Sequence, residues 1–242
     1  MKDGKSLTPA IPILFEDNHL LAVVKPPGVP SQEDESGDPD MLTLLKLDLK
    51  ERYGKPGNVF LGLVHRLDRP VGGAMIFAKT SKAASRLSEA VRSRTFGKTY
   101  ICIVQGKPAA AKGQLKHYIR KDKSRNQVTV FDYAAPEAKD AVLDYTVIAS
   151  NGSYSLVSVK LHTGRPHQIR AQMAHIGCPL VGDRKYGTAP VSGVPDIALW
   201  STSVTVPHPV TKEQLTFTSI PHGQPWEWWS RDELERASSL FL

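Results

Sequence analysis

One carboxylate flanked by two guanidinium groups is the feature of this sequence best suited to chemistry. In the stretch Gly62-Leu63-Val64-His65-Arg66-Leu67-Asp68-Arg69-Pro70-Val71-Gly72-Gly73, Asp68 stands between Arg66 and Arg69. Nearby positive charge favours the ionised form of a carboxyl group, so Asp68 is suited to act as a nucleophile or base beside an anionic substrate. The competing reading is a surface turn in which Asp68 pairs with a neighbouring arginine. Local physics alone does not choose between them. Pro70 fixes its own φ and pushes Arg69 toward an extended conformation. Gly72 and Gly73 permit a tight return or a close approach by another backbone.

A group of this kind needs rigid supports. Apolar runs at 59–64 and 74–78 read as buried strands on either side of the loop, and loops fixed by strands are where scaffolds present reactive groups. Before them, strands are expected at 11–15 and 20–24, joined at Glu16-Asp17-Asn18-His19, followed by a Pro- and Gly-rich loop over 26–39. Asp40 is placed to cap a helix over 41–52 with Leu42, Leu45 and Leu49 on one face. Thr80 or Ser81 can cap the next helix, to about residue 94. Its apolar side holds Ala83, Ala84, Leu87 and Val91, and its polar surfaces hold Lys82, Arg86, Arg92 and Arg94.

Residues 99–104 read as a strand buried on both faces. Tyr100 near its start is either a core residue or a flat face for a planar ligand. A hairpin is expected from 113–121 and 127–133, with Lys123 and Arg125 at its tip, and another strand pair from 141–149 and 154–161, turned at Asn151-Gly152. Pro166 can open a helix that Gly177 closes, with Ile169, Met173 and Ile176 buried. Arg170 adjoins that face. Its guanidinium is expected to meet a carboxylate through two parallel hydrogen bonds, and Asp68 is the candidate. Later strands are expected at 197–206 and 214–220, with a last helix from about Pro225 and Trp226, Trp228 and Trp229 capping a core.

Lys and Arg number 31 against 24 Asp and Glu, a net charge of +7, which suits a polyanion such as RNA. The basic helix face and hairpin tip are either solvated surfaces or phosphate contacts. Cys102 and Cys178 have no paired spacing and read as buried thiols, which suits the cytoplasm. No signal peptide or apolar run of membrane-spanning length is apparent. There is no phosphate-binding glycine loop or dinucleotide fingerprint, and His162, His167 and His175 fit no standard metal site. No cofactor or metal is expected.

His65-Arg66-Leu67-Asp68-Arg69-Pro70 resembles the signature of the RluA-type pseudouridine synthases. Four further stretches match that family in order: Lys25-Pro26-Pro27-Gly28, Lys98-Thr99-Tyr100, Gly164-Arg165-Pro166-His167-Gln168-Ile169-Arg170 and Gly182-Asp183-Arg184-Lys185-Tyr186-Gly187. The resemblance implies an α+β fold, a pseudouridine synthase catalytic domain with a long mixed, mostly antiparallel sheet, helices around it and a central cleft. It implies an enzyme that flips a uridine from structured RNA and isomerises it. By the same resemblance Asp68 is the catalytic aspartate, Arg66 fills the space left by the flipped base, Tyr100 stacks on the uracil and Arg170 pairs with the aspartate. One departure is Pro70-Val71-Gly72-Gly73, where relatives often carry Ser or Thr.

The expected organisation is a tail over 1–10 and one catalytic domain over 11–242, without the small N-terminal RNA-binding domain of many relatives. The expected partner is RNA, large-subunit rRNA first and tRNA second, bound by a cytoplasmic monomer. Two rivals are a non-catalytic RNA-binding protein on the same scaffold and a hydrolase using Asp68 as nucleophile. The hydrolase would need a second carboxylate as general acid, and no segment near the motif evidently supplies one.

Overall fold

Successive side chains of a strand point to opposite faces of its sheet, and here that alternation sorts the apolar residues into separate layers. In a computed structural model describing residues 11–122, 124–187 and 190–242, strands β1 (Ile13–Glu16), β2 (Leu20–Lys25), β3 (Gly62–Leu63) and β4 (Gly72–Ala78) form one end of a sheet. Leu21, Val23, Met75 and Phe77 face one core cluster. Leu20, Ala22, Ala74 and Ile76 face another. Helix α1 (Met41–Arg52) covers the first face and α2 (Ser81–Arg92) the second. The expected tail over 1–10 and Lys123 lie outside the described residues.

Both helices start where the sequence signals them. The Asp40 carboxylate accepts from the amides of Leu42 and Thr43 at 2.8 and 3.3 Å, and the Thr80 hydroxyl accepts from that of Ala83 at 3.1 Å, satisfying donors that a helix start leaves orphaned. On α1 it is Met41, Leu44, Leu45 and Leu49 that are buried, with Leu42 only partly so.

Strands β5 (Gly97–Gln105), β6 (Lys112–Asp122), β7 (Gln127–Phe131), β8 (Lys139–Ser150), β9 (Tyr154–Leu161), β10 (Leu199–Pro207) and β11 (Gln214–Thr218) complete a sheet of eleven described strands. Its order is β1-β2-β4-β10-β5-β9-β8-β6-β7, with β3 also on β4 and β11 also on β10. Neighbours run antiparallel except β4 and β10, which pair parallel at Gly72–Trp200 and Gly73–Ser201. This is the mixed, mostly antiparallel α+β sheet that the family resemblance implied.

The parallel contact explains the glycine pair. A Cβ on Gly72 would lie 2.3 Å from the Trp200 ring, and one on Gly73, whose φ is +117°, 2.2 Å from the Ser201 carbonyl oxygen. A side chain at Gly73 would therefore clash with backbone and be strained. The strand expected at 59–64 is limited to Gly62–Leu63, because only these two residues find partners on β4.

Helix α3 (Gln168–His175) starts two residues later than Pro166 suggested, since His167 turns left-handed at φ 52°. Near the C-terminus, Trp226–Trp228 form one 3-10 turn, and α4 (Arg231–Ser239) begins only after Ser230, whose side chain forms a capping box with Glu233. Trp226 and Trp229 do cap a core, with Ile101, Ile103 and Leu234. Cys102 and Cys178 are buried and unbridged. No described helix is long and apolar enough to cross a membrane.

Candidate active site

The Asp68 loop runs from β3 to β4, and several contacts hold its backbone. Leu67 and Val71, on either side of Asp68, are buried in the core that α1 covers. Ser31 Oγ donates to the Leu67 carbonyl at 2.8 Å and accepts from the Leu67 amide at 3.1 Å. Lys25, fully buried, donates to the carbonyls of Pro26, Val29 and Arg69 at 2.9, 2.6 and 3.0 Å. Burial pulls its pKa down to about 7, against the opposing charges of Asp68 and Asp196. The Lys25-Pro26-Pro27-Gly28 stretch is thus clamped to the residue that follows Asp68.

His65 is buried, and its Nε2 accepts from the Ile76 amide at 3.0 Å. Burial, with the charge of Lys98, lowers its pKa to about 3, so the ring is a neutral fixture of the loop.

The flanking arginines do not hold Asp68. Arg69 turns back to the 26–39 loop, donating to the Gly28 carbonyl at 3.0 Å and pairing with Asp38 and Asp34. Arg66 is exposed at the cleft, without a hydrogen-bonding or ion-pair partner among the described residues. The cation that meets Asp68 comes from α3: Arg170 Nη1 donates to Asp68 Oδ2 at 2.9 Å.

The two-bonded fork expected for that arginine goes elsewhere. Arg170 Nε and Nη2 donate to Asp183 Oδ2 and Oδ1 at 2.9 and 2.8 Å. The Asp183 side chain is 0% exposed, whereas that of Asp68 is 28% exposed. Asp183 also accepts from the amides of Lys185 and Tyr186. These bonds to Arg170 and the two amides hold the Asp183 carboxyl below its usual range against the effect of burial. One carboxylate therefore fixes the guanidinium, leaving its remaining edge for the other, which stays open to the cleft. Asp183 lies in a stretch that carries the family resemblance, but nothing in the sequence gave it a role.

A second chain of contacts reaches Asp68. The Val128 amide donates to the Tyr186 hydroxyl at 2.8 Å, and that oxygen lies 2.8 Å from His167 Nδ1. His167 Nε2 in turn lies 3.9 Å from Asp68 Oδ2. Burial lowers the His167 pKa, against the pull of Asp68.

Tyr100 lies on the core face that also holds Leu67 and Val71. It is 6% exposed and borders the same cleft. Burial and the charge of Asp68 push its pKa above the usual range, so its hydroxyl stays protonated. The structure thus brings Asp68, Arg66, Tyr100 and Arg170 to one cleft, from the β3–β4 loop, β5 and α3.

The cleft has a volume of about 1890 Å³, well above the roughly 300–1,000 Å³ of small-molecule sites. Arg92, Arg94, Lys121, Arg165, Arg184 and Lys185 are among its lining residues. Lys185 Nζ donates to the Asn126 carbonyl at 2.7 Å, which ties the tip of the β6–β7 hairpin to the segment holding Asp183. Lys82 and Arg86 do not line it, and Arg86 is taken up by the Pro209 carbonyl.

Away from the cleft, His117, Asp132 and His175 place possible ligand atoms within 4.8 Å of one another, a grouping the sequence did not suggest. The Gln172 amide nitrogen lies 2.9 Å from His117 Nδ1. That makes Nδ1 the acceptor and leaves the proton on Nε2, the atom facing Asp132 at 3.6 Å. Asp132 is hydrogen-bonded to His175 at 2.9 Å while Gln172 holds His117, and a metal would have to displace that proton.

Fold and site together define an α+β domain with a large cleft, lined by many cations, in which the Asp68 carboxylate stays partly open. The sequence pattern described as RNA pseudouridylate synthase matches residues 19–175, and the chain belongs to that family. It is 36% identical over 208 residues to a Bacillus subtilis relative named as an uncharacterized RNA pseudouridine synthase, covering 84% of this chain and 66% of that one. It is 30% identical to the ribosomal large subunit pseudouridine synthase D of Borreliella burgdorferi, covering 73% of this chain and 55% of that one. Identity is also 30% to the tRNA pseudouridine synthase C of Haemophilus influenzae, over 86% of this chain and 91% of the other. The chain thus spans between about half and two thirds of the first-matched curated relatives. Human RNA pseudouridylate synthase domain containing 4 shares the fold, with a TM-score of 0.75 at 23% identity, over 93% of this chain and 92% of that one.

Proposed function

We propose that this chain isomerises uridine to pseudouridine in structured RNA, with residues 11–242 acting as a single catalytic domain. The observation that carries this reading is Asp68 at the cleft, hydrogen-bonded by an arginine that a second, buried carboxylate fixes in place. In this reaction the bond from C1′ to N1 breaks, the base turns, and a bond from C1′ to C5 forms. N1 gains a proton and C5 loses one, so the change is redox-neutral and calls for no cofactor. Asp68 engages the sugar, at C1′ as nucleophile or at C2′ as base.

Reaching the glycosidic bond requires the uridine to leave its stack, at a cost of a few kcal/mol that contacts to the flipped base and its backbone offset. Arg66, exposed and free of partners among the described residues, enters the vacated stack. Tyr100 stacks on the uracil, and Arg170 holds Asp68. The size and basic lining of the cleft support a polyanionic substrate. Asp68, Arg66, Tyr100 and Arg170 line one cleft, and the chain is read as a monomer acting in the cytoplasm.

Large-subunit rRNA is the first substrate considered and tRNA the second; named relatives include one of each kind. Pseudouridine mapping of RNA from cells with and without this protein tests the reading. At least one site in either class should disappear with the protein. Identical maps, with free uracil released from RNA by the purified protein, would favour a hydrolase instead. Tight RNA binding with identical maps and no product would favour a non-catalytic RNA-binding protein.

A further inference from the structure

Two residues before Tyr100, on the same face of β5, stands Lys98, and its setting differs sharply from that of Lys25. Lys25 has three carbonyl acceptors and the fields of two carboxylates. Lys98 is half-buried, lines the cleft, and has no hydrogen-bond acceptor or ion-pair partner among the described residues. Its ammonium sits 5.7 Å from the centre of the Phe96 ring. On another side is Gly164, where a Cβ would come within 3.0 Å of Nζ. Burial lowers the Lys98 pKa, and no opposing charge offsets it.

A second donor nearby is also unused. His65 packs on Phe96 at 4.9 Å and feels the charge of Lys98. Its Nε2 accepts from Ile76, so its proton is on Nδ1, and that buried atom has no partner. Two donors without an acceptor therefore flank one aromatic ring beside the cleft. Withdrawing a cation from water without a partner is costly, and an unmatched polar group of this kind points to a missing acceptor.

We propose that Lys98 is an anion seat in the cleft, and that its occupant is a phosphodiester of the nucleotide whose base lies against Tyr100. This rests on the reading of the chain as a uridine isomerase. Two residues along a strand span roughly 7 Å, a distance one nucleotide can bridge from base to backbone. Gly164, lacking a side chain, leaves the approach to Nζ open. Three of the rim arginines are better satisfied: Arg92 pairs with Glu89, and Arg94 and Arg165 pair with Asp140. Lys98 thus acts on the flipped nucleotide, while the rim acts on the RNA as a whole.

The test is Lys98→Met, which keeps the stem and deletes the charge. Its melting temperature should rise, because no unpaired ammonium remains. Its rate on saturating RNA from cells lacking the protein should fall roughly tenfold to a hundredfold, the worth of one charged hydrogen bond, with little change in RNA affinity. A purely structural lysine would instead lose stability and rate together. A readout independent of turnover is the rate of Lys98 acetylation, followed by mass spectrometry in the wild-type protein. Uridine 5′-monophosphate or 3′-monophosphate should slow it several-fold more than uridine does. Protection by a monophosphate in a protein that forms no pseudouridine would uphold the seat and overturn the isomerase reading. Equal protection by uridine, a lowered melting temperature, or an unchanged rate in Lys98→Met would overturn the seat.

Discussion

At the scale of single residues, the site depends on how one guanidinium is shared between two carboxylates. Asp183 takes the two-bonded edge of Arg170 and is completely buried, while Asp68 takes one bond and stays partly open. Removing Arg170 would strand the charge of Asp183 more severely than that of Asp68. Arg170→Ala should therefore lose turnover and also roughly 3–5 kcal/mol of stability, the usual cost of breaking a buried pair. Urea denaturation and a rate measurement check this; normal values in both would show that the pairing is unimportant. The contact of Arg170 with Asp68 was legible in the sequence, because an arginine at the edge of a buried helix face needs an acceptor. Its fork with Asp183 was not, since nothing local marks that carboxylate as buried. The sequence also suggested that Arg66 and Arg69 hold Asp68. Instead Arg69 folds back on Gly28, Asp34 and Asp38, as tertiary contact outweighs adjacency in the chain.

At the scale of elements, helix starts with capping side chains were readable and long-range strand order was not. Asp40 and Thr80 announce α1 and α2 because their side chains satisfy amides two or three residues on. Pro166 misled, because the turn into α3 is made by His167 at positive φ, held by a hydroxyl nineteen residues away. The capping box of Ser230 and Glu233 was present in the sequence, but Pro225 was the more conspicuous signal. No local pattern could place β10 between β4 and β5. The Gly72-Gly73 pair did carry a trace of it, as a need for close backbone approach. Gly73→Ala should drive a methyl group against the Ser201 backbone and cost at least roughly 1–3 kcal/mol through overpacking, with strain at positive φ added. Thermal melts measure this. Wild-type stability in Gly73→Ala would mean that the β4–β10 pairing is looser than its geometry implies.

At the scale of the whole molecule, the proposed reaction assigns affinity and chemistry to different residues. Rim cations such as Lys121 and Arg184 should bind through phosphates, so replacing them with Ala should lower the salt dependence of RNA binding by roughly 0.7–0.9 for each phosphate no longer neutralised. Lys82→Ala and Arg86→Ala, away from the cleft, should leave that slope unchanged. Tyr100→Ala should slow turnover far more than it weakens binding, again at an unchanged slope. Equal losses of rate and affinity in Tyr100→Ala, or a wild-type slope in the rim variants, would contradict this division. In the proposed reaction the carboxylate of Asp68 performs the chemistry. Asp68→Asn keeps the shape of that side chain and removes its charge, so the most direct measurement is tritium release from RNA labelled at uridine C5. Asp68→Asn should give no release above background, with near-normal folding and RNA affinity. Substantial release by this variant would move the chemistry to another residue.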